Sequence, residues 1–122
     1  MSMLKALVGF GLILFSLGAY AGTQDVGPVY LDSIVIIGPS SFGHQAGNME
    51  IKITNGMTGL SGVTCSADYV TTKSSTPNFK EMLSILLAAQ IAGKSVKIGI
   101  TDDASAMAFG GRCSLASVTL LK

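Results

Sequence analysis

The sequence predicts a mainly β (α+β) domain in which a small closed sheet of five strands carries one amphipathic helix. Three observations lead to this prediction: short runs rich in β-branched residues, alternation of apolar and polar side chains in several of them, and a single segment with helical periodicity. Five strands in an open sheet would leave edges and one face uncovered, so closure into a barrel is expected.

The five strands follow from local patterns. Segment 49–54 alternates strictly, and Asn55-Gly56 after it favours a hairpin turn, because both central residues of that turn need positive φ. The polar lead 22–27 is expected to fray, and the Gly- and Ser-rich stretch 38–48 is expected to be a loop. The predicted strands are 29–37, 49–54, 63–71, 96–100 and 115–121.

One helix is predicted over 76–93, with either Thr76 or Asn78 as its N-cap and Gly93 as its left-handed end. Ile85 and Ile91 widen its apolar side, as packing against a second subunit or deep burial in a monomer would require. Three strands, a helix and two further strands fit a small five-stranded OB-like barrel. The apolar side of the helix carries Phe79, Met82, Leu83, Leu86, Leu87 and Ala89.

A leader is predicted at 1–21. Lys5 precedes the apolar run 6–17, and the small residues of Ala19-Tyr20-Ala21 close it, which is typical of a secretory signal peptide cleaved after Ala21. The run is short of the about 20 apolar residues that a membrane span needs, and no second run of that length follows. We therefore expect a secreted or periplasmic protein with one mature domain, 22–122, and no membrane span in it.

The number and distribution of charged residues limit the kinds of molecule that the chain could bind. The mature chain would hold 101 of the 122 residues, with seven basic and seven acidic side chains scattered along it. Nucleic acid requires clustered Lys and Arg and is excluded as a partner. A surface with few charges and no net charge is weakly protected against self-association, which favours a homo-oligomer or a complex with a partner.

Cys65 and Cys113, the only cysteines, predict one disulfide, because an isolated pair in an oxidising compartment is most simply bonded. A catalytic thiol would have only His44, the single histidine, as its base. A zinc site would need four ligands where two Cys and one His are present. We therefore expect neither a metal nor a cofactor.

The C-terminal part of the chain, 78–98 and 111–118, contains the helix, a Gly93-Lys94 turn, a strand, a cysteine and a last strand. This order resembles the OB-fold binding (B) subunits of AB-type bacterial toxins, such as cholera-like enterotoxins and subtilase cytotoxin, over roughly the last 45 residues. The resemblance implies a non-enzymatic, ring-forming subunit that binds glycan receptors while a companion chain does the chemistry. Enterotoxin binding subunits place a cysteine near the mature N-terminus, whereas Cys65 lies mid-chain, so no receptor-binding residue is carried over.

The candidate binding residues lie in the loop 38–48. Phe42, His44, Gln45 and Asn48 combine an aromatic face with hydrogen-bonding groups, the mixture that sugar recognition needs. The alternative is a solvated loop in which Phe42 plugs the end of the barrel.

Five other residues invite a functional interpretation. Tyr30 and Tyr69 are expected to pack on the barrel or its rim. Asp102 and Asp103 lack the spacing of a calcium loop, so a turn with an Asx-type hydrogen bond is expected there. Arg112 could bind a carboxylate, but a lone arginine is expected to be solvated.

The sequence thus predicts an exported non-enzymatic binding subunit for a glycan or protein receptor, acting as a homo-oligomer or beside a companion subunit. The alternative is a periplasmic structural or accessory protein that associates with a protein partner and binds no small ligand. A small hydrolase that uses Asp102, Asp103 and His44 is a third hypothesis.

Overall fold

The structure, a computed structural model, describes residues 21–40 and 43–122; apart from Ala21, the predicted leader lies outside this part. Six strands and one helix are found in it. They are β1 (Thr23–Val29), β2 (Leu31–Ile36), β3 (Met49–Ile53), β4 (Tyr69–Thr72), α1 (Phe79–Ala92), β5 (Val96–Thr101) and β6 (Ser114–Leu120).

The strands form two antiparallel sheets of three strands each, with the orders β1-β5-β6 and β2-β3-β4. A mainly β domain with one helix is therefore confirmed. The closed five-stranded barrel is wrong, because there are six strands and no ladder joins the two sheets within the described residues. Their inner faces instead share one core, to which the central strands β3 and β5 contribute Met49, Ile51, Ile53, Val96, Ile98 and Ile100.

The start of the chain explains the sixth strand. The polar lead does not fray: Thr23 to Val26 pair with Ile98 to Thr101 of β5, and the ladder becomes irregular at Pro28, which has no amide hydrogen. After Tyr30 the chain leaves this sheet, and β2 pairs with β3 of the other sheet. The single predicted strand 29–37 is thus divided between two sheets.

The turn predicted at Asn55-Gly56 is confirmed, with φ of 61° and 73°. The strand predicted over 63–71 is shorter and later, because only Tyr69–Thr72 pairs with β3. Between the turn and β4 the chain is irregular, and the amide of Met57 donates to the carbonyl of Ala67 at 2.7 Å.

Helix α1 ends at Gly93 in the left-handed conformation, as predicted. Of the two predicted N-cap residues, Asn78 occupies the N-cap position, but it is left-handed, with φ of 60°, and its side chain makes no capping hydrogen bond. Met82, Leu86 and Ala89 are buried against the sheets, whereas Ile91 is 86% exposed. Within the described residues, no helix combines the length and the apolar character that a membrane crossing requires.

The predicted disulfide between Cys65 and Cys113 is confirmed. It ties the irregular segment before β4 to the residue that precedes β6, and Cys113 is fully buried. Two backbone hydrogen bonds reinforce this junction of the two sheets, from Ser66 to the carbonyl of Gly111 at 2.8 Å and from Thr71 to that of Cys113 at 3.0 Å.

Replacement of both cysteines by alanine should lower the free energy of unfolding by about 4 kcal/mol, because the bond closes a long loop in the unfolded chain. Urea denaturation measures this loss. Reductant should cause a similar loss in the parent protein and none in the double variant. A double variant as stable as the oxidised parent would contradict the prediction.

Candidate binding site

The structure does not gather the described residues of the predicted loop site around one open cavity. Phe42 lies outside the described residues, and Gln45 is exposed. Asn48 is 4% exposed, and its Oδ1 accepts a hydrogen bond from the amide of Ser74 at 3.1 Å. Asn48 thus connects two segments of the fold, and its side chain is not available to a ligand.

His44 belongs to a cluster around Glu50 of β3. Its ring stacks on Phe109 with centroids 4.5 Å apart, and its Nε2 lies 3.3 Å from Oε2 of Glu50. Its Nδ1 is buried without a hydrogen-bond partner in the described structure. An Nε2–H tautomer satisfies this geometry, because it donates to the carboxylate and leaves a lone pair on Nδ1.

Arg112 completes this cluster. Its guanidinium lies between two aromatic rings, 4.5 Å from the centroid of Tyr69 and 4.3 Å from that of Phe109, and it forms an ion pair with Glu50. Thr71 Oγ1 donates to the same carboxylate at 3.2 Å. The expectation of a solvated arginine is wrong, because the planar cation stacks on both rings while it neutralises a half-buried carboxylate.

The sequence indicates this cluster only through the residue type at position 112, an arginine. Arg112 is the only arginine, while all other basic residues of the chain, His44 apart, are lysines. A guanidinium stacks on aromatic rings and pairs with carboxylates in ways that an ammonium cannot. Its partners come from distant parts of the chain, so no local pattern reveals them.

Replacement of Arg112 by methionine should lower the free energy of unfolding by about 1–3 kcal/mol, because Glu50 stays half-buried without its charged partner. Lys52→Met on the same strand β3 is the matched control, since Lys52 is exposed, and its effect should stay within about 0.5 kcal/mol. Urea denaturation measures both variants. Equal losses in the two would contradict this role of Arg112.

An open groove lies where the chain crosses between the sheets. Its volume is 340 Å³. Tyr30 is 53% exposed at this groove, although the sequence predicted that it would pack on the barrel or its rim. The polar residues of the groove are Gln24 and Asp25 of β1 and Thr54, Asn55 and Thr58 of the turn after β3.

Backbone geometry holds the walls of the groove. The amide of Thr54 donates to the carbonyl of Tyr30 at 2.9 Å, which places the turn beside the crossing residue. The side chain of Gln24 forms three hydrogen bonds with the loop 59–62. Its Oε1 accepts from the amides of Ser61 and Gly62, and its Nε2 donates to the carbonyl of Gly59. The residues that line this cavity therefore include an aromatic ring, a carboxylate and several hydroxyl and amide groups on a backbone that is held in place.

The two aspartates of the hydrolase hypothesis are engaged in separate structural contacts. Asp103 accepts from the amide of Ser105 at 3.0 Å, which is the predicted Asx-type turn. Asp102 accepts from the amides of Gly22 and Thr64. Over 21–40 and 43–122, no three or more His, Cys, Asp or Glu side chains are grouped so that they could hold a metal ion.

A scan of this chain against models of known protein families finds no match, and searches of the curated proteins and of the solved structures find none either.

Proposed function

We propose that this chain is an exported, non-enzymatic binding subunit that holds a glycan in the groove beside Tyr30. The observation that carries the proposal is the exposed phenol ring with hydrogen-bonding groups of Asp25, Thr54 and Asn55 around it. Sugars present an apolar ring face and several hydroxyl groups, and these need an aromatic platform beside a few fixed polar groups.

A second depression extends the groove over the outer side of β5. It shares Gln24 and Asp25 with the groove, is lined also by Thr23, Gly99 and Ser117, and has a volume of 470 Å³. Gly99 has no side chain that would fill this depression, and a Cβ there would lie only 2.3 Å from Ser117 Oγ. The two together suit a chain of sugar units better than a single small molecule.

Two features support export without catalysis. The disulfide between Cys65 and Cys113 suits an oxidising compartment, in agreement with the predicted leader. In the part of the chain that the structure describes, His44 has no hydroxyl or thiol within hydrogen-bonding distance that it could activate, and its neighbours Glu50 and Arg112 are paired with each other.

Tyr30→Ala should weaken glycan binding at least about tenfold, the effect of losing about 1.4 kcal/mol of stacking. Because the ring is more than half exposed, the fold should persist, which circular dichroism checks. The measurement is a glycan array followed by titration of the strongest ligand. Leu87→Ala on α1 is the control: Leu87 is 41% exposed away from the groove, and its variant should bind like the parent.

Two results would contradict the glycan proposal: unchanged affinity in Tyr30→Ala, or no saturable binding of any glycan by the parent protein. In the second case, recovery of a specific protein partner would favour the alternative of an accessory protein.

We further propose that copies of the chain associate through the outer edges of β2 and β6. Among the described residues, β2 forms a ladder only with β3, and β6 only with β5. Val35 and Ile36 on β2 and Leu120 on β6 are 44%, 47% and 46% exposed. Since the two edges are different surfaces, pairing one with the other is heterologous, and repeated pairing closes a ring when the rotation between neighbouring copies adds up to a full turn.

Light scattering after size exclusion should give a single oligomer for the parent protein and monomers for Ile36→Lys and for Leu120→Lys, because a charge on either edge blocks pairing. A mixture of the two variants should form a 1:1 dimer and nothing larger, since each keeps one intact edge. Ile91→Lys on the exposed side of α1 is the control. A monomeric parent at high concentration would overturn the proposal.

A further inference from the structure

Gly22 lies in a narrow space at the end of the sheet β1-β5-β6, bounded by Gly62, Thr64, Thr101 and Asp102; this space is called the seat below. Its amide nitrogen donates to Oδ1 of Asp102 at 2.5 Å, and its carbonyl accepts from Thr101 Oγ1 at 3.1 Å and from the amide of Asp102 at 3.2 Å. Oδ2 of Asp102 accepts from the amide of Thr64 at 2.9 Å. The carboxylate of Asp102 is thus hydrogen-bonded both to Gly22 and to the segment that contains Thr64.

The seat accepts only glycine. A Cβ on Gly22 would lie 1.7 Å from the carbonyl oxygen of Gly62, which is backbone and cannot turn aside. Gly62 is confined in turn, since its own Cβ would lie 3.0 Å from the carbonyl oxygen of Thr23. Ala21, one residue earlier, is exposed. Gly22 is half-buried and is the residue at which these contacts to the sheet begin.

The residue at which these contacts begin directly follows the predicted cleavage site after Ala21. Hydrolysis there, by a signal peptidase and one water molecule, breaks the Ala21–Gly22 amide bond and leaves a carboxylate on Ala21 and an ammonium on Gly22. We propose that Asp102 is the binding site for this α-ammonium, so that removal of the leader replaces a hydrogen bond from a neutral amide with an ion pair that locks β1 onto β5.

Charge and geometry at Asp102 agree with this role. Hydrogen bonds from the amides of Thr64 and Gly22 hold the pKa of the Asp102 carboxyl below its ordinary value, so the carboxylate is ionised at neutral pH. An α-amino group, with an ordinary pKa of about 7.7–8.0, is then largely protonated and carries three hydrogens where the amide carried one. Processing thus adds a charge and two donors at a seat that is already built.

The proposal depends on the predicted leader and is independent of glycan binding. Its first test is the mass of the exported protein, which should correspond to 22–122 with the disulfide formed. Any other N-terminus overturns the proposal, because the ammonium would then lie outside the seat.

The second test compares defined N-termini in vitro and needs neither export nor a ligand. The 22–122 chain with a free amine should melt about 2–5 °C higher than the same chain acetylated at Gly22, because acetylation removes the charge. A chain that retains Ala21 tests position, since its free amine is displaced by one residue, and it should melt like the acetylated form. Equal melting temperatures for all three would overturn the proposal.

Asp102→Asn should abolish the difference between the free and acetylated termini, whereas Asp103→Asn, the adjacent control, should preserve it. If Asp102→Asn does not fold, reductive methylation of the parent decides instead. The Gly22 amine should react several-fold more slowly in the folded protein than after unfolding, and equal rates would contradict the ion pair.

Discussion

The covalent bond between Cys65 and Cys113 is the constraint on which the rest of the structure depends. Both sheets contribute buried residues to one core, so the two must stay packed against each other. The chain crosses between them at Tyr30 and again through α1, which connects β4 to β5, and the disulfide adds a covalent link beside β4 and β6. Three connections fix the relative position of two layers more firmly than two, and the buried residues of β3 and β5 then pack between them.

The functional surfaces follow from this two-layer arrangement. Because the sheets do not close into a barrel, the crossing at Tyr30 leaves a groove on one side, and the outer edges of β2 and β6 form no further ladder within the described residues. A closed barrel would have removed these edges and narrowed the crossing. The proposed ligand site and the proposed subunit contacts are therefore consequences of the same departure from closure.

The sequence predicted those parts of the fold that local chemistry determines. Apolar and polar side chains alternate along β3 because one face of it is buried, and Gly93 ends α1 because it adopts positive φ. The chain has two cysteines, so each could form an internal disulfide only with the other. Strand β1 was missed because its polar residues are held by the ladder to β5, some 75 positions away, and not by their own propensity. The prediction of a closed sheet failed for the same reason, since strand pairing is a property of the whole chain.

The sites were harder to predict than the fold. Of the loop residues proposed from the sequence, Asn48 proved to be an internal connector and His44 part of a packed cluster, while Phe42 falls outside the described residues. The groove gathers β1, the crossing residue and the turn after β3, none of which has a distinctive motif. The one exception is the turn after β3, which the sequence does indicate, because Asn-Gly favours positive φ at both residues. This turn sends the chain back past Tyr30.

The cluster around Glu50 has a consequence for how the protein responds to its surroundings. In the described residues the ion pair with Arg112 and the hydrogen bond from His44 converge on this one carboxylate, which is half-buried and screened by the rings that hold Arg112. Dissolved ions weaken attractions between exposed charges far more than those between enclosed ones. The contribution of this cluster to stability is therefore expected to change little with ionic strength.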